Sequence, residues 1–365
     1  MTVMLTVLPL TFGAKMGDMS GTVYIRANGS VEPLNAPISN LDNMTYTLTG
    51  NITSSGDGII VERDNIIIDG NQCIVHGFKP YSGIVLAGRS NVTVKNTAIS
   101  NFENGINLTD TNGTNISGDN LTANGANDIY LYSSFNDDIN DNIMTNSDFG
   151  ICLLSSSNVS IERNNITANN DNAIRLDYSS TVNISGNEIT ANTWGINLGY
   201  SSSDVSVIGN KIANNNIGIW LYSSSNNRIY HNKLVNNVQQ VYSVDSTNVW
   251  DDGASGNYWS NYNGTDANHD AIGDTPYVID ANNKDNYPLM PPQLPGDVNG
   301  DSKVNLQDLV LLALAYGSKP GDLNWNPYAD IDGNGDVDQA DLAILTENYG
   351  KLHNPSLFFF CLKNV

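Results

Sequence analysis

The stretch Ile184-Ser-Gly-Asn-Glu-Ile-Thr-Ala-Asn-Thr-Trp-Gly-Ile-Asn-Leu198 returns 23 residues later as Val207-Ile-Gly-Asn-Lys-Ile-Ala-Asn-Asn-Asn-Ile-Gly-Ile-Trp-Leu221. Further copies, spaced by 22 or 23 residues, begin at Val94, Ile116, Ile139, Ile161 and Ile229. A fixed period of this size is typical of a solenoid, in which each repeat forms one coil that stacks on the next. The sequence therefore predicts stacked coils over residues 58–245.

The apolar residues of each repeat indicate strands rather than helices. They alternate with polar residues in short clusters such as Ile196-Asn-Leu198, which is the spacing of a strand with one buried face. Parallel strands joined by crossovers are expected to wind right-handed. Stacking would align the apolar residues in three inward files: Val94, Ile116, Ile139, Ile161, Ile184, Val207 and Ile229; Ile99, Leu121, Met144, Ile166, Ile189, Ile212 and Leu234; and Ile84, Ile106, Ile129, Ile151, Ile174, Ile196, Ile219 and Val241.

A fourth file is polar and predicts a structural ladder. Asparagine tolerates left-handed backbone, and stacked side-chain amides can hydrogen-bond from coil to coil. We therefore expect these residues at a turn, each bonded to the next coil. The file consists of Asp119, Asn142, Asn164, Asn187, Asn210 and Asn232.

The repeat resembles the NosD-like group of right-handed parallel β-helix proteins, whose members include carbohydrate-binding and sugar-hydrolysing β-helix domains. The phrase Asn65-Ile-Ile-Ile-Asp-Gly70 is similar to the opening coil of that group. The resemblance covers residues 58–290. It implies an all-β parallel solenoid, and polysaccharide as the class of ligand. A copper site is a weaker expectation from the resemblance, because the four histidines are scattered in the sequence and form no cluster with Cys or Met.

Composition restricts the partners and the setting. The 365 residues carry a net charge of −22, which would repel nucleic acid and anionic membranes and suits a protein that binds cations. Residues 1–19 resemble a truncated secretory signal, and no apolar run reaches the ~18 residues of a membrane span. We therefore expect an extracellular or cell-surface protein. Its many Asn-x-Ser/Thr sequons are consistent with glycosylation or with chance in asparagine-rich turns.

Shifts in composition predict the other boundaries. Residues 20–57 form an N-terminal cap, residues 246–290 form an aromatic C-terminal cap, and residues 291–296 are a stiff linker. A separate domain spans residues 297–351, and a tail spans residues 352–365. Within the C-terminal cap an oxygen-rich loop predicts either a small calcium site or an acidic surface turn. Its candidate ligands are Asp266, Asn268, Asp270 and Asp274.

The most specific pattern is a pair of twelve-residue loops, 33 residues apart. Each has side-chain oxygens at places one, three, five and twelve, and each runs into an apolar helix that ends at glycine. Calcium prefers six to eight oxygen ligands, including the carbonyl at place seven. The predicted ligands are Asp297, Asn299, Asp301, the Lys303 carbonyl and Asp308, and then Asp330, Asp332, Asn334, the Asp336 carbonyl and Asp341.

These loops differ from an ordinary EF-hand because aspartate stands at place twelve and no helix enters the loop. In both respects residues 297–350 resemble a type I dockerin. That resemblance implies a cohesin-bearing partner, which is recognised at places ten and eleven of each loop. Those residues are Leu306, Gln307, Gln339 and Ala340, and the familiar Ser-Thr pair is absent. We expect so small a domain to be largely unfolded without calcium.

The outward face of the Gly-Ile-x-Leu strands is the candidate ligand surface. Aromatic rings next to a charged pair suit a sugar polymer, although the pattern fits a solvated face with a simple ion pair better. Catalysis, as a lyase or a glycoside hydrolase, would have to use Arg175 and Asp177, and no second acid is evident in the file of Asp177. A non-catalytic structural or adhesin role is the alternative. The candidate binding residues are Tyr130, Tyr132, Arg175, Asp177, Trp220 and Tyr222.

Overall fold

The computed structural model describes residues 19–266, 270–290, 294–300 and 303–351. The chain divides into two compact units. The first consists of Met1–Asp252 with Val278–Lys284, and the second consists of Gly253–Tyr277 with Asp285–Val365. Each unit is described by itself.

The first unit is an all-β parallel solenoid of about nine coils with three long sheets. Sheet A contains Met19–Ser20, Ile52–Ser54, Ile74–Gly77, Ala98–Ser100, Asn120–Thr122, Ile143–Thr145, Asn165–Thr167, Glu188–Thr190, Lys211–Ala213 and Lys233–Val235. Sheet B contains Val23–Ile25, Ile59–Val61, Ser82–Ala87, Asn104–Thr109, Asn127–Tyr132, Phe149–Leu154, Asn172–Asp177, Trp194–Gly199, Ile217–Tyr222 and Gln239–Val244. Sheet C contains Thr45–Leu48, Ile66–Asp69, Val92–Lys95, Asn115–Ser117, Asp138–Asn140, Ser160–Glu162, Asn183–Ser185, Ser206–Ile208 and Arg228–Tyr230.

The N-terminal edges of sheets B and C are covered by short antiparallel strands. Val31–Glu32 pairs with Tyr24–Ile25, and Ile38–Ser39 pairs with Thr47–Leu48. Residues 20–57 also contribute parallel strands to the sheets, so the solenoid begins before residue 58. An antiparallel edge strand interrupts the parallel ladder, which protects the end from pairing with another chain.

The three predicted apolar files are confirmed residue by residue. Val94 pairs with Ile116 in sheet C, Ile99 with Leu121 in sheet A, and Ile84 with Ile106 in sheet B, and each file continues coil by coil. Almost every member is fully buried. Burying one such side chain contributes about 1.5–3 kcal/mol, and a one-residue slip would turn a whole strand inside out. The apolar files therefore fix both the fold and its register.

The asparagine ladder is also confirmed, with one correction to its backbone. Asn187 Oδ1 accepts from the backbone N–H of Asn164 at 2.9 Å, and Asn187 Nδ2 donates to the carbonyl of Ile161 at 2.8 Å. The left-handed residue is the one before the asparagine, such as Gly186 (φ 65°) or Arg163 (φ 54°). The asparagine is required for its amide, which bonds the backbone of the adjacent coil, and its neighbour makes the turn.

A separate asparagine series, Asn227 and Asn248, lies at the end of the first unit and is closed by a loop. The backbone N–H of Asn227 donates to Asn248 Oδ1, and the N–H of Asn248 donates to Asn283 Oδ1, both at 2.9 Å. Asn283 Nδ2 in turn donates to the carbonyl of Ser246. Residues 278–284 therefore supply the partners that a further coil would otherwise provide.

Asp119 takes the place of an asparagine in the ladder that continues through Asn142 to Asn232. We expect its replacement by asparagine to stabilise the solenoid. Its Oδ1 accepts from the N–H of Thr97, but its buried Oδ2 has no hydrogen-bond partner, and burial raises the pKa to about 7. The folded state thus holds a proton that the unfolded chain releases near pH 4, so stability falls as the pH rises from about 4 to 7. Asp119→Asn removes that loss, which is worth about 1–3 kcal/mol at pH 8.

Thermal unfolding at pH 5 and pH 8 measures the effect. The reverse variant, Asn142→Asp, is the matched control and should lose more stability at pH 8 than at pH 5. Equal stability of wild type and Asp119→Asn at pH 8 would contradict the assignment.

The second unit contains two helices, α1 (Leu306–Ala315) and α2 (Gln339–Asn348). Both begin with a reciprocal capping box, formed by Asn305 with Asp308 and by Asp338 with Asp341. A two-residue strand lies at Tyr258–Trp259, and the boundaries between the two units fall within the two-residue strands Tyr277–Val278 and Lys284–Asp285. The small helical core consists of Val298, Val304, Leu312, Ala315, Ala329, Val337 and Leu345.

Candidate functional site

The second acidic loop brings three carboxylates together ahead of α2. Oxygen atoms of Asp330, Asp332 and Asp341 lie within 4.8 Å of one another. Asp330 is buried; its Oδ2 accepts from the N–H of Gly335 at 2.9 Å, whereas its Oδ1 has no hydrogen-bond partner. A buried carboxylate oxygen without a donor is unfavourable unless a cation or a proton compensates it. These residues fit calcium, which prefers clustered oxygen ligands.

The last aspartate of each loop also folds the loop onto its helix. Asp341 Oδ1 accepts from the N–H groups of Ile331 and Asp332 at 2.7 and 3.1 Å, and its Oδ2 accepts from the N–H of Asp338 at 2.7 Å. Asp308 repeats this pattern with Val298, Asn299 and Asn305 at 2.9, 3.1 and 2.8 Å. The two loops therefore have matching internal networks 33 residues apart.

The structure shows fewer contacts for the other predicted calcium ligands. In the first loop Asp297 and Asp308 are buried, but Asp301 lies outside the described residues. Asn334 Oδ1 accepts from the N–H of Asp336, and the carbonyl ligands at Lys303 and Asp336 remain predictions. The four residues predicted to face a partner, at the starts of the helices, are all exposed: Leu306, Gln307, Gln339 and Ala340.

The predicted loop in the C-terminal cap forms a hydrogen-bonded turn. Asp266 is buried, and its two carboxylate oxygens accept from the N–H groups of Asp270 and Ala271 at 3.1 and 2.9 Å. Asp274 accepts from the hydroxyl of Thr265. Asn268 lies outside the described residues, and a calcium ion in this loop stays a prediction.

Arg175 and Asp177 lie side by side on the outward face of sheet B. Nε and Nη2 of Arg175 both donate to Asp177 Oδ2, at 2.9 and 2.7 Å. Asp177 Oδ1 is buried without a partner and faces Gly199, where an added Cβ would lie 2.7 Å from it. Leu154 and Gly199 occupy the same file on either side, as predicted. The pair is internally neutral, and the second oxygen of Asp177 is closed off from solvent.

Two aromatic groups lie on the C-terminal side of this pair. In the first, the ring of Trp220 lies 3.9 Å from that of Trp194 and 5.1 Å from that of Tyr242, measured between centroids. In the second, Tyr178, Tyr200 and Tyr222 follow one another at 5.6 Å. The predicted residues Tyr130 and Tyr132 lie two coils before Arg175 and Asp177, paired through Cys152 and Leu154.

Sequence reasoning found Trp220 and Tyr222 but missed the rest of these groups. Tyr178 and Tyr200 have φ of 52° and 49°, a region that bulky residues avoid, and most other coils have a small residue there, such as Ser133 or Ser155. An exposed ring held in this backbone region is a candidate for a functional role. Their shared place in the repeat was the available signal for finding them.

The acids near the pair do not form a free catalytic couple. Burial raises the pKa of Asp171, and the nearby Arg175 opposes that shift. Asp128 lies inside the core, where it accepts from Asn124 Nδ2 at 2.7 Å and Ser147 Oγ at 2.6 Å, and burial raises its pKa well above the usual value. Burial also raises the pKa of the Cys152 thiol to about 11, which makes it a poor nucleophile.

Comparison with known families decides the assignment. The sequence model described as periplasmic copper-binding protein (NosD) matches residues 51–264, more than half of the chain. The chain belongs to the NosD family. The type I dockerin model matches residues 295–348, so this NosD-like parallel β-helix is followed by a type I dockerin. The predicted fold class is confirmed for both parts.

Individual relatives match a short segment of this chain or match it at low sequence identity. A segment of 53 residues is 47% identical to the probable ABC transporter binding protein NosD of Stutzerimonas stutzeri, and it covers 14% of this chain and 12% of that relative. The Dettilon tailspike protein is similar with a TM-score of 0.51 and 14% identity, over 66% of this chain and 58% of that chain. The enzymatically active domain of tailspike protein 2 from bacteriophage CBA120 is similar with a TM-score of 0.50 and 13% identity, over 63% and 42%. The tailspike likenesses show the fold alone.

The residues that the structure describes bring together no histidine and sulfur cluster of the kind that copper uses. His76 lies 3.0 Å from the hydroxyl of Ser100, and His231 lies 3.1 Å from a carboxylate oxygen of Asp252. Within residues 19–266, 270–290, 294–300 and 303–351, the acidic trio at Asp330, Asp332 and Asp341 is the one group of three or more clustered His, Cys, Asp or Glu ligands. Copper sites in proteins use imidazole and sulfur ligands, whereas this group is all carboxylate.

Over the described ranges, neither α1 nor α2 has the length and apolar character required to cross a bilayer.

Proposed function

We propose that this protein works outside the cytoplasm as a two-part component, in which a calcium-ordered dockerin attaches the chain to a cohesin-bearing partner and the solenoid holds a polysaccharide. Dockerin domains bind cohesin domains. The observation that carries the proposal is the paired loop–helix arrangement, with three clustered carboxylates and an unpartnered Asp330 oxygen in the second loop. Calcium would be held by the predicted loop ligands and would supply structural order.

The outward face of sheet B is the proposed polysaccharide surface. The predicted residues Tyr130, Tyr132, Arg175, Asp177, Trp220 and Tyr222 are supplemented by Trp194 and Tyr242 on the sheet and by Tyr178 and Tyr200 in the turns that follow it. Aromatic side chains offer apolar area for the ring faces of sugars. The partly exposed guanidinium of Arg175 offers hydrogen bonds to hydroxyl or carboxylate groups.

Two features favour binding over cleavage. Arg175 holds one oxygen of Asp177, and the other oxygen is buried. A glycosidase needs a second carboxylate about 5–10 Å from the first, and Asp128 is confined to the core. An enzyme acting as a polysaccharide lyase or a glycoside hydrolase, with Arg175 and Asp177 as candidates, is the second proposal. Reducing-sugar release by wild type that is lost in Arg175→Ala and Asp177→Ala would favour it over binding alone or an adhesin role.

We expect Trp220→Ala to weaken polysaccharide binding about tenfold, which corresponds to the ~1.4 kcal/mol expected of an aromatic contact. Affinity electrophoresis against a panel of neutral and acidic polysaccharides measures the change. Tyr230→Ala, which removes a ring from sheet C, is the matched control and should bind like wild type. Failure of wild type to bind any polysaccharide of the panel would refute the proposed surface.

A further inference from the structure

Helix α1 has an apolar outer stripe that has no counterpart on α2. Leu306, Val310 and Leu314 are 62%, 49% and 67% exposed. They are four residues apart, so their side chains lie on one face of the helix. Large apolar side chains grouped on one exposed face commonly mark an interaction surface.

The repeat within the dockerin provides an internal comparison. The positions 33 residues later are Gln339, Ala343 and Glu347, which are also exposed. The inner positions match, since Asp308 corresponds to Asp341 and Leu312 to Leu345, and all four are buried. The two halves therefore share their core and their loop geometry and differ on the outer face.

We propose that this dockerin binds its cohesin in one orientation only, through the α1 stripe of Leu306, Val310 and Leu314, and that the corresponding face of α2 does not bind. This inference rests on the proposed function and specifies its partner. Residues 297–350 contain ten acids and two lysines, so the domain stays negative even after two calcium ions bind. The partner surface that fits has an apolar centre and a basic rim.

Exchanging the outer faces tests the inference on the full chain. The first variant places the α2 residues on α1: Leu306→Gln, Val310→Ala and Leu314→Glu. The second variant does the opposite on α2: Gln339→Leu, Ala343→Val and Glu347→Leu. Affinity is measured with calcium against a panel of purified type I cohesin modules, and calcium titration confirms that each variant still forms the loops.

We expect the α1 exchange to weaken binding by about 100-fold, since central apolar contacts dominate interfaces, and the α2 exchange to leave it within about threefold. Equal losses in both variants, or no loss in the α1 variant, would overturn the single orientation and leave the proposed function standing. If wild type binds no cohesin, the proposed function itself fails. If the α1 exchange fails to bind calcium, Val310→Glu alone replaces it, with the same expected loss.

A second copy of this chain is the rival occupant of the stripe. Sedimentation of wild type and the α1 variant at increasing concentration tests for it. We expect monomers in both cases. A wild-type dimer that the α1 exchange abolishes, without any change in cohesin affinity, would overturn the proposal.

Discussion

Removing calcium is expected to unfold residues 297–351 and leave the solenoid intact. The buried core of the dockerin consists of seven side chains, two of them alanines, which is little for an independent domain. At a free calcium concentration 100 times the dissociation constant, each site adds about 2.7 kcal/mol. Two sites thus contribute about 5 kcal/mol, comparable to the total stability of a small domain.

Hydrogen exchange with and without a chelator measures this unfolding. Peptides from α1 and α2 should lose amide protection by a factor of at least ~100 on chelation, whereas peptides from the three sheets should not change. Asp341→Ala should produce the same loss in α2 even with calcium, because it removes a ligand and the acceptor for three backbone N–H groups. Glu347→Gln is the matched control, since it removes one exposed charge of α2 outside the loop. Full protection of both helices in chelator would contradict a calcium-ordered domain.

The second large effect is expected from Asn187→Ala in the middle of the solenoid. The Asn187 amide accepts from the N–H of Asn164 and donates to the Ile161 carbonyl and to Asn210 Oδ1. Alanine leaves the buried N–H of Asn164 without its acceptor and takes one donor from the Ile161 carbonyl and one from Asn210 Oδ1, which keeps the backbone N–H of residue 187. A buried group left unsatisfied costs about 1–3 kcal/mol, so we expect a loss of roughly 2–4 kcal/mol in unfolding free energy. Because each coil contacts only its neighbours, the damage should be concentrated in the adjacent coils.

Guanidinium unfolding gives the overall effect, and hydrogen exchange locates it. Asn165→Ala is the matched control, because Asn165 is exposed on sheet A in the preceding coil. A change of the same small size in both variants would show that the ladder is not a main source of stability. Loss of protection spread evenly over all coils would show that the solenoid unfolds as a single unit.

The interior of the solenoid was predictable because its period is strict. Ile184, Ile189 and Ile196 lie in three different sheets, and the sequence placed each in its correct file, since side chains alternate in and out along a strand. The left-handed residue was not predictable from composition alone. Asparagine suits both a turn and an amide ladder, and only the coordinates show that Gly186 makes the turn while Asn187 makes the ladder.

The candidate surfaces were predictable only in part. The strand pattern gives the outward positions Arg175 and Asp177, but the course of the following turn decides that Tyr178 and Tyr200 join them. The loop spacing predicts the metal ligands, and the structure adds that Asp308 caps helix α1 together with Asn305. The α1 stripe required exposure values, because Leu312 and Leu314 look alike in sequence and only one is buried.

The central claim is that a calcium-ordered dockerin attaches this NosD-family solenoid to a partner. Capture of the full chain on immobilised type I cohesin modules, in one buffer with calcium and again with a chelator, tests that claim most directly. We predict a stable complex with at least one cohesin in calcium and none in chelator. Equal capture in both buffers, or no capture by any cohesin in calcium, would contradict it.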